Sequence, residues 1–292
     1  MRVTFHGHAC VAVDHEGAVV VLDPGSFSDA AGALADADAV LLTHEHPDHV
    51  DSEVLGAALA ARPELAVWAP EAVAESLRSS LPDGGGRVHV VAPGDGLDLG
   101  GLEVVVGGGR HAVIHPDVPR IANVTYLLRS GSGSVFHPGD SFDLPPGTDA
   151  GTPDAEPGGQ HRLDVLLAPV SAPWLKLAET IDFVRAVDPA IVVPVHDALL
   201  SAVGHGAVDR LLGERRTGGT YEYRPLAVGE SVEVPGRDDT ARTVAAQLLR
   251  EHPEFAEVHL LEHDETVPPR PEEDVAAASR DQGDRPGAAG RR

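Results

Sequence analysis

Residues 44–49, with the sequence HEHPDH, constrain the fold more than any other part of the chain. They follow the apolar run 39–43 (AVLLT), which predicts a buried strand. Four imidazole and carboxylate groups so close together would repel one another or stay unsatisfied in a core. These groups are the usual ligands of zinc and similar divalent ions. The chain must therefore fold so that this strand end opens into a site.

The spacing of the four groups indicates how they divide. In an extended stretch, positions two apart share a side, so His44 and His46 can converge on one ion. Once the chain turns after Pro47, Asp48 and His49 can reach a second ion. The alternative is a polar surface loop that happens to be rich in histidine. The fixed spacing directly after a strand argues against that alternative.

The rest of the chain reads as short strands with helices between them. A hairpin is expected over residues 10–14 and 18–23, with Glu16 and Gly17 at its turn. Helices are expected over 52–61, capped by Asp51 or Ser52, and over 71–80 and 178–187. Further strands are expected over 65–69, 88–91, 102–106, 124–128, 134–136, 165–168 and 191–195. Several of these strands end in His or Asp, which predicts a layered α/β sandwich whose strand ends supply a site.

Charge and cysteine content narrow the class of protein. The 46 acidic residues outnumber the 22 lysines and arginines, giving a net charge of −24, and no basic cluster suits a nucleic-acid groove. Cys10 is the only cysteine, which fits a reducing compartment. The N-terminus reads as a strand rather than a signal peptide, and no stretch approaches the roughly 20 apolar residues of a membrane span. A cytoplasmic protein is expected.

Composition also predicts the domain boundaries. Residues 1–236 are expected to form the catalytic domain, and 237–267 a short extension with a helix and a strand. Residues 268–292 are rich in Pro, Ala, Gly and charge, with little to bury, and are expected to be a disordered acidic tail. Residues 145–161 are expected to be a surface loop.

The segment 43–49 resembles the HxHxDH motif of the metallo-β-lactamase-fold superfamily, and the resemblance extends over about the first 230 residues. It implies a four-layered αββα sandwich with two metal sites. His111, Asp140 and His196 match the remaining ligand positions of that family, each after a predicted strand. The implied ligand set is His44, His46 and His111 for the first ion, and Asp48, His49 and His196 for the second, with Asp140 bridging.

Each of these assignments has a competitor. His115 competes with His111, which is preferred because it directly ends the strand and the glycine run 107–109. His115 is then a loop residue facing substrate and a candidate catalytic residue. Asp140 could instead cap a turn, and His196 could be a buried core histidine. Two further residues lie near the motif: Asp23 either supports a ligand or serves an ordinary turn, and His137 is expected to be structural.

Residues 5–9 (FHGHA) resemble the start of the branch that includes ascorbate-6-phosphate lactonase-like proteins and the phospholipase D that acts on N-acylphosphatidylethanolamines. His8 could orient a group of the site, as a candidate catalytic residue, or pack beneath the hairpin. After residue 170, Trp174 could cover a substrate and Lys176 could hold an anion. The alternatives are that Trp174 only packs and that Lys176 is solvated.

The resemblance implies a metal-dependent hydrolase that uses a metal-bound hydroxide, with Asp48 orienting the nucleophile or taking its proton. Two divalent ions, two carboxylates and a hydroxide leave one net positive charge, which favours a small anionic metabolite cleaved at a phosphodiester or lactone/ester bond. Zinc is the expected ion, and manganese or iron also suit the ligands. An RNA-processing nuclease and a non-catalytic metal-binding or partner-binding protein are the alternatives. The sequence leaves open whether the chain forms a homo-oligomer.

Overall fold

Strands dominate the computed structural model, which describes residues 1–81, 85–147, 162–213 and 220–235. The predicted extension 237–267, the predicted tail 268–292 and most of the predicted loop 145–161 lie outside these residues. The first half contains β1 (Arg2–Gly7), β2 (Cys10–His15), β3 (Ala18–Leu22), α1 (Ala30–Leu34), β4 (Ala39–Leu41), α2 (Ser52–Ala61), β5 (Ala66–Ala69), α3 (Glu71–Ser80) and β6 (Val88–Val90).

The second half begins with four antiparallel strands and continues with parallel strands and helices. It contains β7 (Gly96–Leu99), β8 (Leu102–Arg110), β9 (Ala122–Ser130), β10 (Gly133–His137), β11 (Val165–Pro169), α4 (Leu177–Val187), β12 (Ile191–Val195), α5 (Ala202–Val208), a π-helical turn (Asp209–Gly213), β13 (Glu222–Tyr223) and β14 (Ser231–Glu233).

The strands form two seven-stranded sheets. The first has the order β14-β1-β2-β3-β4-β5-β6 and the second β13-β12-β11-β10-β9-β8-β7. In the first sheet the pairs from β14 to β3 are antiparallel and those from β3 to β6 parallel. The second sheet repeats this, antiparallel from β7 to β10 and parallel from β10 to β13.

Three apolar layers hold the sheets and helices together. The inner faces of the two sheets meet in a buried core that includes Val13, Leu41, Tyr126 and Leu167. Leu55, on α2, and other helical residues cover the outer face of the first sheet, while α4 covers the second. The order of layers is helix, sheet, sheet, helix, so the predicted four-layered αββα sandwich is confirmed.

The helix predictions agree closely with the structure. The helices over 52–61 and 71–80 are found with those bounds, and the third begins one residue earlier, at Leu177. Asp51 is the cap of α2, because its carboxylate accepts hydrogen bonds from the backbone N–H groups of Glu53 and Val54. The sequence did not predict α1, α5, β7, β13 or β14, which are too short to show a periodic pattern.

The strand order brings several strand ends to one edge of the sandwich. His44 lies just beyond β4, and His111, Asp140 and His196 follow β8, β10 and β12. A backbone hydrogen bond joins the two sheets at this edge, since Val124 N–H donates to the carbonyl of Thr43 at 3.0 Å. In the part of the chain that the structure describes, no helix combines the length and apolarity that crossing a bilayer requires.

Candidate metal centre

Two adjacent groups of ligand-type side chains lie at this edge, each with its ligand atoms within 4.8 Å of one another. We call them group one and group two. Group one is His44, His46, His111 and Asp140, and group two is His8, Asp48, His49 and His196. The histidines and Asp48 divide between the groups as the resemblance implied, whereas Asp140, expected as a bridge, falls in group one and His8 joins group two.

Asp140 faces both groups. Its Oδ1 lies 3.1 Å from Nε2 of His49 and 3.2 Å from Nε2 of His196, while its Oδ2 lies 3.2 Å from Nε2 of His111. The backbone is held on both sides, since Asp140 N–H donates to Oδ1 of Asn123 and the carbonyl accepts from Ala112 N–H. The carboxylate therefore occupies the position of a bridge between the groups.

Four histidines share one tautomer, because Nδ1 of each lies beside an acceptor. His49 Nδ1 lies 2.8 Å from Oδ2 of Asp23, and Nδ1 of His111 and His196 lie 2.7 and 2.6 Å from backbone carbonyls. His44 Nδ1 lies 3.0 Å from the hydroxyl of Thr43, whose own hydrogen goes to Asp23. With a hydrogen on Nδ1, each neutral ring presents the Nε2 lone pair to the centre, as a metal ligand must.

His8 and His137 have the opposite tautomer. Nδ1 of His8 accepts a hydrogen bond from Ala198 N–H at 3.2 Å, so the neutral ring carries its hydrogen on Nε2. That Nε2–H donates to Oδ2 of Asp48 at 3.2 Å. Nδ1 of His137 likewise accepts from Gly139 N–H, and Nε2 donates to the carbonyl of Ala9. His8 thus orients Asp48 rather than offering a lone pair to an ion.

The polar atoms at the centre lack protein partners. Nε2 of His49, His111 and His196 and Oδ1 of Asp140 are buried and make no hydrogen bond of acceptable geometry, although the carboxylate is close by. A buried polar atom left without a partner costs about 1–3 kcal/mol, so four converging atoms of this kind would be strongly destabilising. Imidazole and carboxylate donors directed at shared points fit divalent cations well.

The charges of the central groups also favour a bound cation. Burial raises the pKa of the Asp140 carboxyl, but His49 and the other imidazoles outweigh burial and hold that pKa well below its usual range. Burial lowers the pKa of His196, yet the carboxylates of Asp140 and Asp48, 3.2 and 3.4 Å from its Nε2, raise that pKa to about 9. The carboxylates therefore draw positive charge onto the neighbouring ring, and a bound cation would take the place of that proton.

Asp23 supports the loop from beneath. It is fully buried, and its carboxylate accepts hydrogen bonds from the backbone N–H and hydroxyl of Thr43 at 2.8 and 2.7 Å, besides the bond from His49. Of the two readings that the sequence allowed, the structure agrees with the first, because Asp23 contacts His49, a candidate ligand. Asp23 is also a turn residue, with φ of +47° directly after β3.

Unusual backbone conformations are concentrated at the centre. His8 and His196 have φ of +53° and +59°, a region that non-glycine residues rarely adopt. Gly139 has φ of +56°, and a Cβ there would collide with Oδ1 of Asn123 and the side chain of Thr43. The chain accepts these conformations because the ends of separate strands must turn toward one point.

Three further residues from the sequence analysis lie elsewhere or act differently. The side chain of His115 is 62% exposed, belongs to neither group and contacts Asp117. Lys176 is 82% exposed and lies 3.8 Å from Glu179. Trp174 donates its indole N–H to Oδ2 of Asp140 at 2.8 Å, a contact that the sequence did not predict. Nothing in the local pattern around Trp174 could have revealed a bond to a residue 34 positions away.

Comparisons with known proteins agree with the fold. The β-lactamase superfamily domain matches residues 2–196. A protein of Mycobacterium tuberculosis is 34% identical over 219 residues, covering 74% of this chain and 93% of the relative. A metal-dependent hydrolase of Methanopyrus kandleri is 27% identical over 213 residues, covering 67% and 84%. A metallo-β-lactamase fold protein of Bacillus subtilis has a TM-score of 0.58 at 17% identity, covering 80% and 99%, which is a likeness of fold.

Proposed function

The chain belongs to the metallo-β-lactamase superfamily, and from this premise we propose that it is a metal-dependent hydrolase with a dinuclear centre. The observation that supports this most directly is the convergence of four buried ligand atoms that have no hydrogen-bond partner. The Methanopyrus kandleri relative, 84% of whose length the match covers, carries the name metal-dependent hydrolase, which agrees with the proposal.

The two groups would hold one ion each. His44, His46 and His111 would bind the first ion through nitrogen, and Asp48, His49 and His196 the second, with Asp140 shared between them. When bound, two divalent ions lower the pKa of a coordinated water to about 7 and polarise a substrate oxygen. Zinc is the proposed ion, since imidazole and carboxylate suit it, and manganese or iron would also be accepted.

Asp48 has a different setting from Asp140. Its side chain is 20% exposed, and Oδ2 lies 3.2 Å from Nε2 of His8 and 3.4 Å from Nε2 of His196. Burial raises the pKa of the Asp48 carboxyl, but the nearby imidazole of His196 and the hydrogen bond from His8 outweigh burial and lower that pKa below its usual range. Asp48 therefore stays ionised at neutral pH. We propose that Asp48 binds the second ion and orients the nucleophile at the solvent side of the centre. His8 holds the Asp48 carboxylate in place.

We infer the substrate class from the net charge of the proposed centre. Two divalent ions, the carboxylates of Asp48 and Asp140 and one hydroxide leave a net charge of plus one at the centre. Such a centre favours a phosphodiester or a lactone/ester in a small anionic metabolite. The FHGHA start at residues 5–9, which resembles that of the lactonase-like branch, supports the lactone as one of the two bond types.

The test is a substrate panel on protein of known metal content. Purified protein would be analysed for bound metal and assayed with bis(p-nitrophenyl) phosphate, a set of lactones and, at low salt, a precursor RNA. We expect hydrolysis of the phosphodiester or of a lactone, and loss of that activity in Asp140→Ala. Fully metal-loaded protein that cleaves neither substrate class would contradict the proposal. Cleavage of RNA alone would replace it with the nuclease reading.

A further inference from the structure

The segment between β11 and α4, residues 170–176, reaches the metal centre at two points. The carbonyl of Ser171 accepts a hydrogen bond from Nδ1–H of His196 at 2.6 Å. Three residues further on, Nε1–H of Trp174 donates to Oδ2 of Asp140 at 2.8 Å. One loop thus contacts both a group-two histidine and the carboxylate shared by the two groups.

The two oxygens of Asp140 have different surroundings. Oδ1 is buried, has no hydrogen bond and lies close to Nε2 of both His49 and His196. Oδ2 receives the indole N–H, and it also lies 3.2 Å from Nε2 of His111. Because the Asp140 backbone is already fixed, the main freedom left is rotation of the carboxylate. A donor held at one oxygen restricts that rotation.

The indole itself is held in place by aromatic neighbours. Its ring meets that of Phe142 edge-on, with centroids 5.2 Å apart, and Phe142 in turn lies 5.2 Å from Phe183 on α4. The His111 ring lies close to perpendicular to the indole, with ring centroids 6.0 Å apart. Trp174 therefore presents its N–H from a fixed position, as a donor must if it is to orient a carboxylate.

We propose that Trp174 is a positioning residue: its indole N–H fixes the carboxylate of Asp140 so that Oδ1 is directed toward group two and Oδ2 toward group one. The inference rests on the proposed dinuclear centre, in which Asp140 is the bridge. It assigns to Trp174 a part in assembling the centre, in place of the substrate-covering role considered from the sequence. Loss of an outer hydrogen bond of this kind typically lowers metal affinity about 10- to 100-fold.

The chain offers a matched control, because its two tryptophans are Trp68 and Trp174. Trp174→Phe removes the N–H and keeps an aromatic ring, while Trp68→Phe makes the same chemical change in β5, where the ring stacks on His89. Phe142→Leu loosens the packing around Trp174 and leaves the N–H in place. Zn²⁺ affinity would be measured by calorimetry on protein freed of metal, and Trp174 emission would be followed in the Trp68→Phe variant.

We expect Trp174→Phe to weaken Zn²⁺ binding about 10- to 100-fold, with Trp68→Phe unchanged and Phe142→Leu much less affected. In Trp68→Phe, the remaining Trp174 emission should change as Zn²⁺ is added, and the change should be absent in Trp174→Phe. Equal Zn²⁺ affinity in Trp174→Phe and the natural chain would overturn the proposal. An equal loss in Phe142→Leu would also overturn it, since packing alone would then explain the effect. Because no substrate is used, the result stands even if hydrolysis is never found.

Discussion

The two sheets contribute to the proposed metal centre in different ways. The first sheet supplies one continuous loop, residues 44–49, whose side chains enter both groups. The second sheet supplies His111, Asp140 and His196 singly, each after a different strand. The support differs as well: on the first side the Asp23 carboxylate orients the loop, whereas His111 and His196 on the second side are each held by a backbone carbonyl.

This difference predicts how many ligands a single substitution should affect on each side. Asp23 bonds directly to Thr43 and His49 and, through the Thr43 hydroxyl, reaches His44, so one carboxylate orients ligands of both groups. A side-chain substitution can remove that support. The carbonyls that orient His111 and His196 remain after any side-chain change, so the second side should be sensitive mainly at its ligands and at Trp174. Substitutions on the two sides can test this asymmetry.

The largest effect is expected at Asp140, the residue of the second sheet that faces both groups. Asp140→Ala removes the shared carboxylate, so His111 loses its carboxylate neighbour and His49 and His196 each lose one of two. We expect metal affinity to fall by more than about 100-fold, beyond the usual effect of an outer-sphere residue, with loss of both ions and of activity. Elemental analysis and the substrate panel measure this. Retention of two ions with normal turnover would remove Asp140 from the ligand set.

A slightly smaller effect is expected at Asp23, the support on the first side. Asp23→Asn replaces one acceptor oxygen by an NH₂ group, which would face either the backbone N–H of Thr43, at the Oδ1 position, or both the Thr43 hydroxyl and Nδ1–H of His49, at the Oδ2 position, donor against donor. We expect metal affinity to fall about 10- to 100-fold for both ions. Asp117→Asn is the control, since that side chain is 91% exposed and lies on a loop. Loss of only one ion would show that the support is not shared as the hydrogen bonds indicate.

The same asymmetry explains what the sequence could predict. On the first side, ligand type and spacing are local, so residues 44–49 could be assigned without knowing the fold. On the second side, His111 and His196 were reached only by resemblance and by their position after a predicted strand. The tautomer of His8 and the indole bond to Asp140 depend on contacts with Ala198 and Trp174, far away in the chain. Such contacts follow from how the two sheets meet, which no local pattern encodes.

A moderate effect is expected at His8, which lies on the first side but donates a hydrogen bond rather than a lone pair. His8→Asn suits the positive φ, which asparagine tolerates, yet its shorter side chain cannot reach Asp48. We expect both ions to be retained and kcat to fall about 10-fold, since Asp48 loses its orientation. Metal content and steady-state kinetics distinguish a His8 that orients Asp48 from a His8 that binds an ion. If the variant lost one ion, His8 would be a ligand and the hydrogen on Nε2 would have to be reassigned.

The smallest effect is expected at His115, which the sequence offered as competitor to His111 and as a candidate catalytic residue. His115→Ala changes an exposed side chain of the second side that contacts Asp117. We expect unchanged metal content and a change of about 2-fold or less in kcat/KM, whereas His111→Ala should lose the ion of group one. A large rise in KM with metal retained would support the reading that His115 faces substrate. Loss of metal in His115→Ala would instead mean that the loop moves to bring His115 into the centre, and the second side would then be less fixed than its backbone hydrogen bonds indicate.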